Sequence, residues 1–121
     1  MLVPALLIQA KPQTGEIITV KVENEAKAAK SKITVRFTEL VEDSRCPKGT
    51  NCVWAGEGKI KIQVSKAGEK SEIFEVSTSD QRDTATFAGY RLRLIGLKPQ
   101  PAMNVRINRR SYTATIEITK A

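Results

Sequence analysis

The chain has 121 residues, of which 40% are apolar and 27% are charged, a composition typical of one folded domain rather than of a disordered segment. Its formal net charge is +7 and it contains no histidine, so the most common general base and metal ligand of enzymes is missing. No stretch of the sequence approaches the ~20 consecutive apolar residues of a membrane-spanning helix.

Residues 1–10 are apolar except for Gln9. Because they lack the basic start of a signal peptide, they are either the remainder of a trimmed signal or a buried strand that Pro4 keeps at a sheet edge, and we favour the strand. An apolar edge can also be exchanged between two chains, so a homodimer formed through residues 1–8 is a hypothesis.

Alternating apolar and polar residues, the signature of strands with one buried face, recur along the chain. The alternation covers residues 18–22, 33–37, 60–64, 90–94 and 112–118, and weaker strands are expected at 72–76, 84–87 and 105–107. Residues 25–30, EAKAAK, have a helical composition but are too short for a stable helix, so we expect a long hairpin connection with one helical turn. About eight short strands predict one all-β domain over residues 1–121, an antiparallel β-sandwich of immunoglobulin-like or similar Greek-key type.

The segment 42–57 reads EDSRCPKGTNCVWAGE and contains both cysteines and the only tryptophan. The spacing of Cys46 and Cys52 is wider than that of a Cys-x-x-Cys redox motif, and no further Cys or His is present to complete a zinc site. We therefore predict a disulfide, with Pro47 and Gly49 supplying the turn that closes it. A persistent disulfide indicates the periplasm, the cell surface or the exterior.

Four residues near the disulfide are candidates for a binding surface: Asp43, Arg45, Lys48 and Trp54. A structural interpretation is also open, in which Asp43 caps the turn, Arg45 pairs with a carboxylate and the indole of Trp54 packs on the core. In the functional interpretation Trp54 is a platform for a sugar or peptide, and Asp43 and Arg45 contact a cation or a partner. Two adjacent carboxylates are too few for calcium, so no metal site and no cofactor is predicted.

The stretch EDSRCP followed by CVWAGE resembles a family of small exported or lipoprotein-type bacterial proteins of unknown function, which carry the motif DSRCPxxxxCxWAGE. A segment like residues 89–101, GYRLRLIGLKPQP, also recurs in that family. The resemblance implies an exported β-sandwich in which the DSRCP loop follows a strand, and it implies no known activity.

Catalysis is not expected, because the sequence has no nucleophile elbow, no phosphate-binding glycine loop and no convincing pair of catalytic carboxylates. The leading hypothesis is a non-catalytic binding or structural module of the cell envelope that acts through the loop 42–51 and Trp54. An alternative is inhibition of an extracellular protease by loops at one end of the sandwich, an analogy at the level of fold.

A further alternative comes from the uneven charge. Residues 82–121 carry 8 basic and 2 acidic side chains, which favours binding of a polyanion, either nucleic acid or an acidic envelope polymer. The candidate basic patch consists of Arg91, Arg93, Arg106, Arg109 and Arg110. Nucleic acid is not the expected polyanion, because Tyr90 and Tyr112 fall on apolar faces and cannot stack on bases.

Overall fold

The computed structural model describes residues 15–121 with the exception of Lys48, Trp54 and Asn104. In this part of the chain almost all regular structure is β-strand. The strands are β1 (Glu16–Lys21), β2 (Glu25–Lys27), β3 (Thr34–Asp43), β4 (Gly58–Ser65), β5 (Glu72–Ser77), β6 (Thr84–Phe87), β7 (Tyr90–Lys98) and β8 (Thr113–Lys120). A short 3-10 helix, Arg109–Ser111, precedes β8.

The strands form two four-stranded antiparallel sheets, with the order β1-β8-β7-β6 in the first sheet and β2-β3-β4-β5 in the second. The predicted antiparallel β-sandwich of about eight strands is therefore confirmed. Its strand order is simpler than a Greek key: consecutive strands pair as meanders within each sheet, and β1 joins β8. The alternation of apolar residues marks each strand but carries no information on this order.

The chain passes from the first sheet to the second directly after β1. The amide of Val22 donates to the carbonyl of Tyr112 at 3.0 Å in the first sheet, and the amide of Glu23 donates to the carbonyl of Phe37 at 2.6 Å in the second. The return crossing lies in the loop 78–83. Backbone hydrogen bonds thus tie the two sheets together at one corner of the sandwich.

The core lies between the two sheets and consists of the apolar residues that the alternation predicted to be buried. Phe37 in β3, Ile62 in β4, Leu92 in β7 and Ile116 in β8 are almost completely buried. Tyr112 is also buried and Tyr90 is half-buried, so both tyrosines face the core as expected. The larger set of buried apolar side chains forms one cluster that draws on both sheets.

Two local predictions were wrong. Residues 25–27 of EAKAAK form the strand β2, in which Ala26 lies opposite Val35, because pairing with β3 supplies the hydrogen bonds that a single helical turn lacks. Residues 105–107 form no strand, since the amide of Val105 bonds to the carbonyl of Ala102 in a turn and Val105 is exposed. The strand expected at residues 1–10 lies outside the described residues.

The strand pairings place four connections at the same end of the sandwich, which we call the loop end: residues 22–24, 44–57, 78–83 and 99–112. The turns 28–33, 66–71 and 88–89 lie at the opposite end. Within the described ranges, no helix has the length and apolar character to cross a membrane.

Candidate functional site

The segment with the two cysteines extends the hairpin of β3 and β4 beyond the edge of the sheet. The amide of Ser44 donates to the carbonyl of Glu57 at 2.8 Å, and the amide of Cys46 donates to the carbonyl of Ala55 at 3.2 Å. Cys46 and Cys52 form a disulfide across this extension, with their Cα atoms 5.9 Å apart. The predicted disulfide is confirmed, and it closes the tip of the hairpin.

Pro47 and Gly49 form the turn inside the disulfide loop, as predicted from the sequence. The side chain and the amide of Thr50 both donate to the carbonyl of Pro47, at 2.8 and 3.3 Å. Gly49 has a φ of +85°, a conformation that glycine adopts without steric conflict. The loop therefore has its own internal hydrogen bonds in addition to the disulfide.

Arg45 forms the best-connected polar group at the loop end. Its guanidinium binds both oxygens of Asp43, with Nε to Oδ1 at 2.7 Å and Nη2 to Oδ2 at 2.8 Å. It also donates to the carbonyls of Leu97 at 2.7 Å and Pro99 at 2.8 Å. The hydroxyl of Tyr112 donates to Oδ2 of Asp43 at 2.6 Å. These side chains and carbonyls are called the Arg45 network below.

The Arg45 network connects the two sheets. Asp43 ends β3 in the second sheet, whereas Leu97 lies in β7 and Tyr112 immediately precedes β8 in the first sheet. Arg45 and Pro99 belong to the two sequence segments that carry the family resemblance, so these distant segments meet in space. Sequence reasoning expected Arg45 to pair with a carboxylate, but not its bonds to the carbonyls 52 and 54 positions away.

Electrostatics within the network favour a permanently charged pair. Burial by itself raises the pKa of Asp43, but hydrogen bonds from Arg45 and Tyr112 outweigh it and hold this pKa below its usual value. Burial and the hydrogen bond to Asp43 raise the pKa of Tyr112 to about 12. Four of the five N–H groups of Arg45 are occupied by intrachain acceptors, so Asp43 and Arg45 hold the loops rather than present free groups to a ligand.

Gly58 permits the close approach of the two sheets at this point. A Cβ atom on Gly58 would lie 2.7 Å from a methyl carbon of Leu97 and 3.3 Å from Nε of Arg45. Any larger residue would therefore push the start of β4 away from the guanidinium. The position of Arg45 in the motif DSRCP therefore depends on the small size of Gly58.

The structure divides the candidate basic patch between two regions. Arg91 and Arg93 share the outer face of the first sheet, as expected, but they line a groove of about 520 Å³ together with Asp80, Asp83 and Glu117. Arg93 also forms an ion pair with Asp83 at 2.8 Å. Three acidic side chains thus face two basic ones in this groove, which does not suit a polyanion.

The other three arginines of the patch, Arg106, Arg109 and Arg110, lie at the loop end. Six residues of β8, about 20 Å, separate their region from Arg91. Arg109 donates to the carbonyl of Leu40, and Arg110 lies 3.6 Å from a carboxylate oxygen of Glu23. The five arginines thus do not form one surface.

Three exposed apolar residues at the loop end were missed by sequence reasoning. Val53 at the hairpin tip is 89% exposed, and Met103 and Val105 in the loop 99–112 are 56% and 58% exposed. The flanking prolines, Pro99 and Pro101, were the available signal that this apolar stretch is a loop and not a strand.

Lys48 and Trp54, the other two members of the candidate binding surface, lie outside the described residues. Among the residues that the structure describes, no group of three or more acidic, histidine or cysteine side chains is arranged to hold a metal ion.

A scan against models of known protein families found no match to this chain, and searches of the curated proteins and of the solved structures found none either.

Proposed function

We propose that this protein is an exported, non-catalytic binding module of the cell envelope and that its contact surface is the loop end of the sandwich. The observation that carries the proposal is the Arg45 network, which fixes the loops 44–57 and 99–112 to each other and to both sheets. Loops held on a rigid scaffold are the usual place for a binding surface in a β-sandwich.

The side chains displayed on these loops support the same surface. Val53, Met103 and Val105 expose more than half of their surface to water. Exposed apolar side chains grouped on loops are typical of contact surfaces. Asp43 and Arg45 support this surface indirectly, because they neutralise each other and hold the loops in place.

Export is proposed from the disulfide, since such bonds persist in oxidising compartments. The measurement is the mass of the protein isolated from its native host after alkylation of free thiols. We expect both cysteines to be protected from the alkylating reagent. Recovery of the protein with two alkylated cysteines would contradict export.

Site-specific photo-crosslinking in living cells tests the contact surface. A photoreactive amino acid is placed at Val53 or at Met103, and control positions are Ile17 and Ile73, which are similarly exposed on the outer faces of the two sheets. We expect adducts at Val53 and Met103 and none at the controls. Adducts only at Ile17 or Ile73 would place the contact surface on a sheet face and refute the proposal.

Inhibition of an extracellular protease is a second candidate function. It is favoured by the hairpin tip, where the disulfide and the bonds to Pro47 brace a loop that presents Val53 at 89% exposure. Titration of a panel of serine and cysteine proteases tests this function. Stoichiometric inhibition that Val53→Asp abolishes would support it, and full protease activity throughout the panel would exclude the enzymes tested.

A further inference from the structure

Much of the excess positive charge of the chain lies in one segment of the loop end. Residues 98–112 contain four basic residues and no acidic residue, whereas the whole chain has 20 basic and 13 acidic residues. The formal net charge of the chain is +7, so this segment carries more than half of it. The Arg45 network holds the segment against the hairpin extension of β3 and β4.

The acidic residues that border this region are largely occupied by other partners. Asp43 binds Arg45 at 2.7 Å, and Glu57 lies 3.4 Å from Arg82 and 3.9 Å from Lys59. Glu23 is the one described carboxylate within 4 Å of the basic residues of the loop 98–112, where it faces Arg110.

Two cations of the loop 98–112 remain without a nearby carboxylate among the described residues. Lys98 and Arg106 are exposed and form no ion pair in the described part of the chain. Arg109 and Arg110 instead line a groove of about 360 Å³ together with Glu23 and Glu39, so the charges there offset each other. The surface of this loop is thus positive at Lys98 and Arg106.

The exposed apolar side chains lie among these cations. Met103 and Val105 stand between Lys98 and Arg106 in the sequence, and Val53 stands on the neighbouring loop. Basic side chains are attracted to anionic lipid headgroups, and aliphatic side chains between them can enter the boundary between headgroups and acyl chains. A soluble polyanion would use the cations but has no use for exposed methionine and valine.

We propose that the loop end docks on an anionic lipid surface, with Met103, Val105 and Val53 inserted at the headgroup level and Lys98 and Arg106 facing lipid phosphates. The inference rests on the proposed contact surface and names its partner.

Sedimentation with vesicles tests this inference on the full, disulfide-bonded chain. The vesicles are pure phosphatidylcholine or contain roughly a third phosphatidylglycerol. We expect binding to the anionic vesicles alone. Lys98→Gln and Arg106→Gln should each weaken it by about fivefold, since each basic residue near an anionic surface contributes attraction of that order. Arg91→Gln is the matched control, because it removes one charge at the groove that Asp80, Asp83 and Glu117 line, and it should leave binding nearly unchanged.

A double variant, Met103→Ser with Val105→Ser, tests insertion while the charge is kept. Both side chains are exposed, so the fold should be retained, and circular dichroism checks this. We expect binding at least about fivefold weaker than that of the wild type. Unchanged binding of this variant would show a purely electrostatic surface for soluble polyanions and would overturn the inference, as would equal binding to both vesicle types.

Failure of this inference and failure of the proposed contact surface give different results. If the protein binds no vesicles but still forms protein adducts from Val53 in cells, the lipid partner is wrong and the contact surface stands. If neither is observed, both are wrong.

Discussion

Asp43 and Arg45 form a bidentate ion pair at the end of β3 in the second sheet. The two contacts measure 2.7 and 2.8 Å, and the side chains of Arg45 and Asp43 are only 13% and 8% exposed. Planar guanidinium and carboxylate groups are complementary in this geometry, and shielding from water makes each bond stronger than at an open surface. Because the same guanidinium reaches the carbonyls of Leu97 and Pro99, the pair holds both sheets.

Arg45→Ala is expected to lower the free energy of unfolding by about 3 kcal/mol, because it leaves Asp43 buried and unpaired together with two carbonyls. Urea denaturation measures this change. The control is Arg36→Ala on the exposed face of β3, for which we expect a change within about 0.5 kcal/mol. Equal stability of the two variants would refute a structural role for the Arg45 network.

Tyr112→Phe is expected to cost about 1–2 kcal/mol at neutral pH, since it removes the bond to Asp43 and keeps the buried ring. The wild type should also lose stability at high pH. The pKa of Tyr112 is raised from 10.0 to about 12, so its contribution is complete below pH 10.0 and disappears as the pH rises towards 12.

Thermal unfolding of both proteins between those pH values measures this effect. Stability of Tyr112→Phe should depend less steeply on pH than that of the wild type in this window. Identical slopes for the two proteins would contradict the raised pKa of Tyr112.

Acid should destabilise the fold. A hydrogen bond from Arg93 lowers the pKa of Asp83 and outweighs its burial. Burial by itself raises the pKa of Glu16, but backbone hydrogen bonds from Lys30 and Ser31 outweigh it and lower this pKa. With ordinary values of 3.8 and 4.5, the unfolded chain takes up protons first as the pH falls. The stabilisation is therefore complete above about pH 5 and is lost as the pH falls through the lowered values.

Melting temperatures measured from about pH 7 to pH 2 check this dependence. Asp83→Asn should reduce the slope below pH 3.8, the ordinary pKa of this carboxyl. A melting temperature that stays constant down to pH 3 would rule out the lowered pKa values.

Loss of the disulfide is expected to lower the free energy of unfolding by about 2 kcal/mol, the chain-entropy value for so short a loop. Cys46→Ser combined with Cys52→Ser is compared with the oxidised wild type by urea denaturation. Because the hairpin extension keeps its backbone bonds to Glu57 and Ala55, the variant should still fold. The reduced wild type should match the variant, and a reduced protein as stable as the oxidised one would contradict the prediction.

Gly56 and Gly49 form a matched pair of glycines with positive φ, +68° and +85°. A Cβ on Gly56 would lie 1.8 Å from the carbonyl oxygen of Ser44, whereas a Cβ on Gly49 would meet nothing within 4 Å. Gly49→Ala should cost about 1 kcal/mol through its backbone conformation alone. Gly56→Ala should lower the free energy of unfolding by at least about twice as much. Equal losses of stability for the two variants would contradict a steric role of the contact with Ser44.

Much of the fold could be predicted from local patterns. The alternation in residues 60–64 and 90–94 placed β4 and β7 correctly, since side chains on opposite faces of a strand differ in exposure. The short strand β2 could not be found in this way. Its alanine has a high helix propensity, and the segment forms a strand because it makes hydrogen bonds to β3.

The candidate site was predicted less completely. The spacing of Cys46 and Cys52 with Pro47 and Gly49 between them was sufficient for the disulfide, because the chemistry and the turn are local. The prediction of one basic patch was wrong, because it depends on where distant parts of the chain lie. Arg91 lies beside one end of β8, whereas Arg110 lies just before its other end. Arg91 shares a groove with Asp80 and Asp83, and Arg110 faces Glu23.

The sequence by itself determined the β-sandwich class, the buried face of most strands and the disulfide, because each depends on residues within a few positions of one another. Only the tertiary structure decided which sheet each strand joins and what lies at the loop end. Arg45 meets Leu97 and Pro99 because the ends of β3 and β7 coincide in space, and the same coincidence gathers Val53, Met103 and the cations of the loop 98–112 at one end. Contacts between residues some 50 positions apart depend on strand order and sheet packing, which no local pattern of residue types encodes.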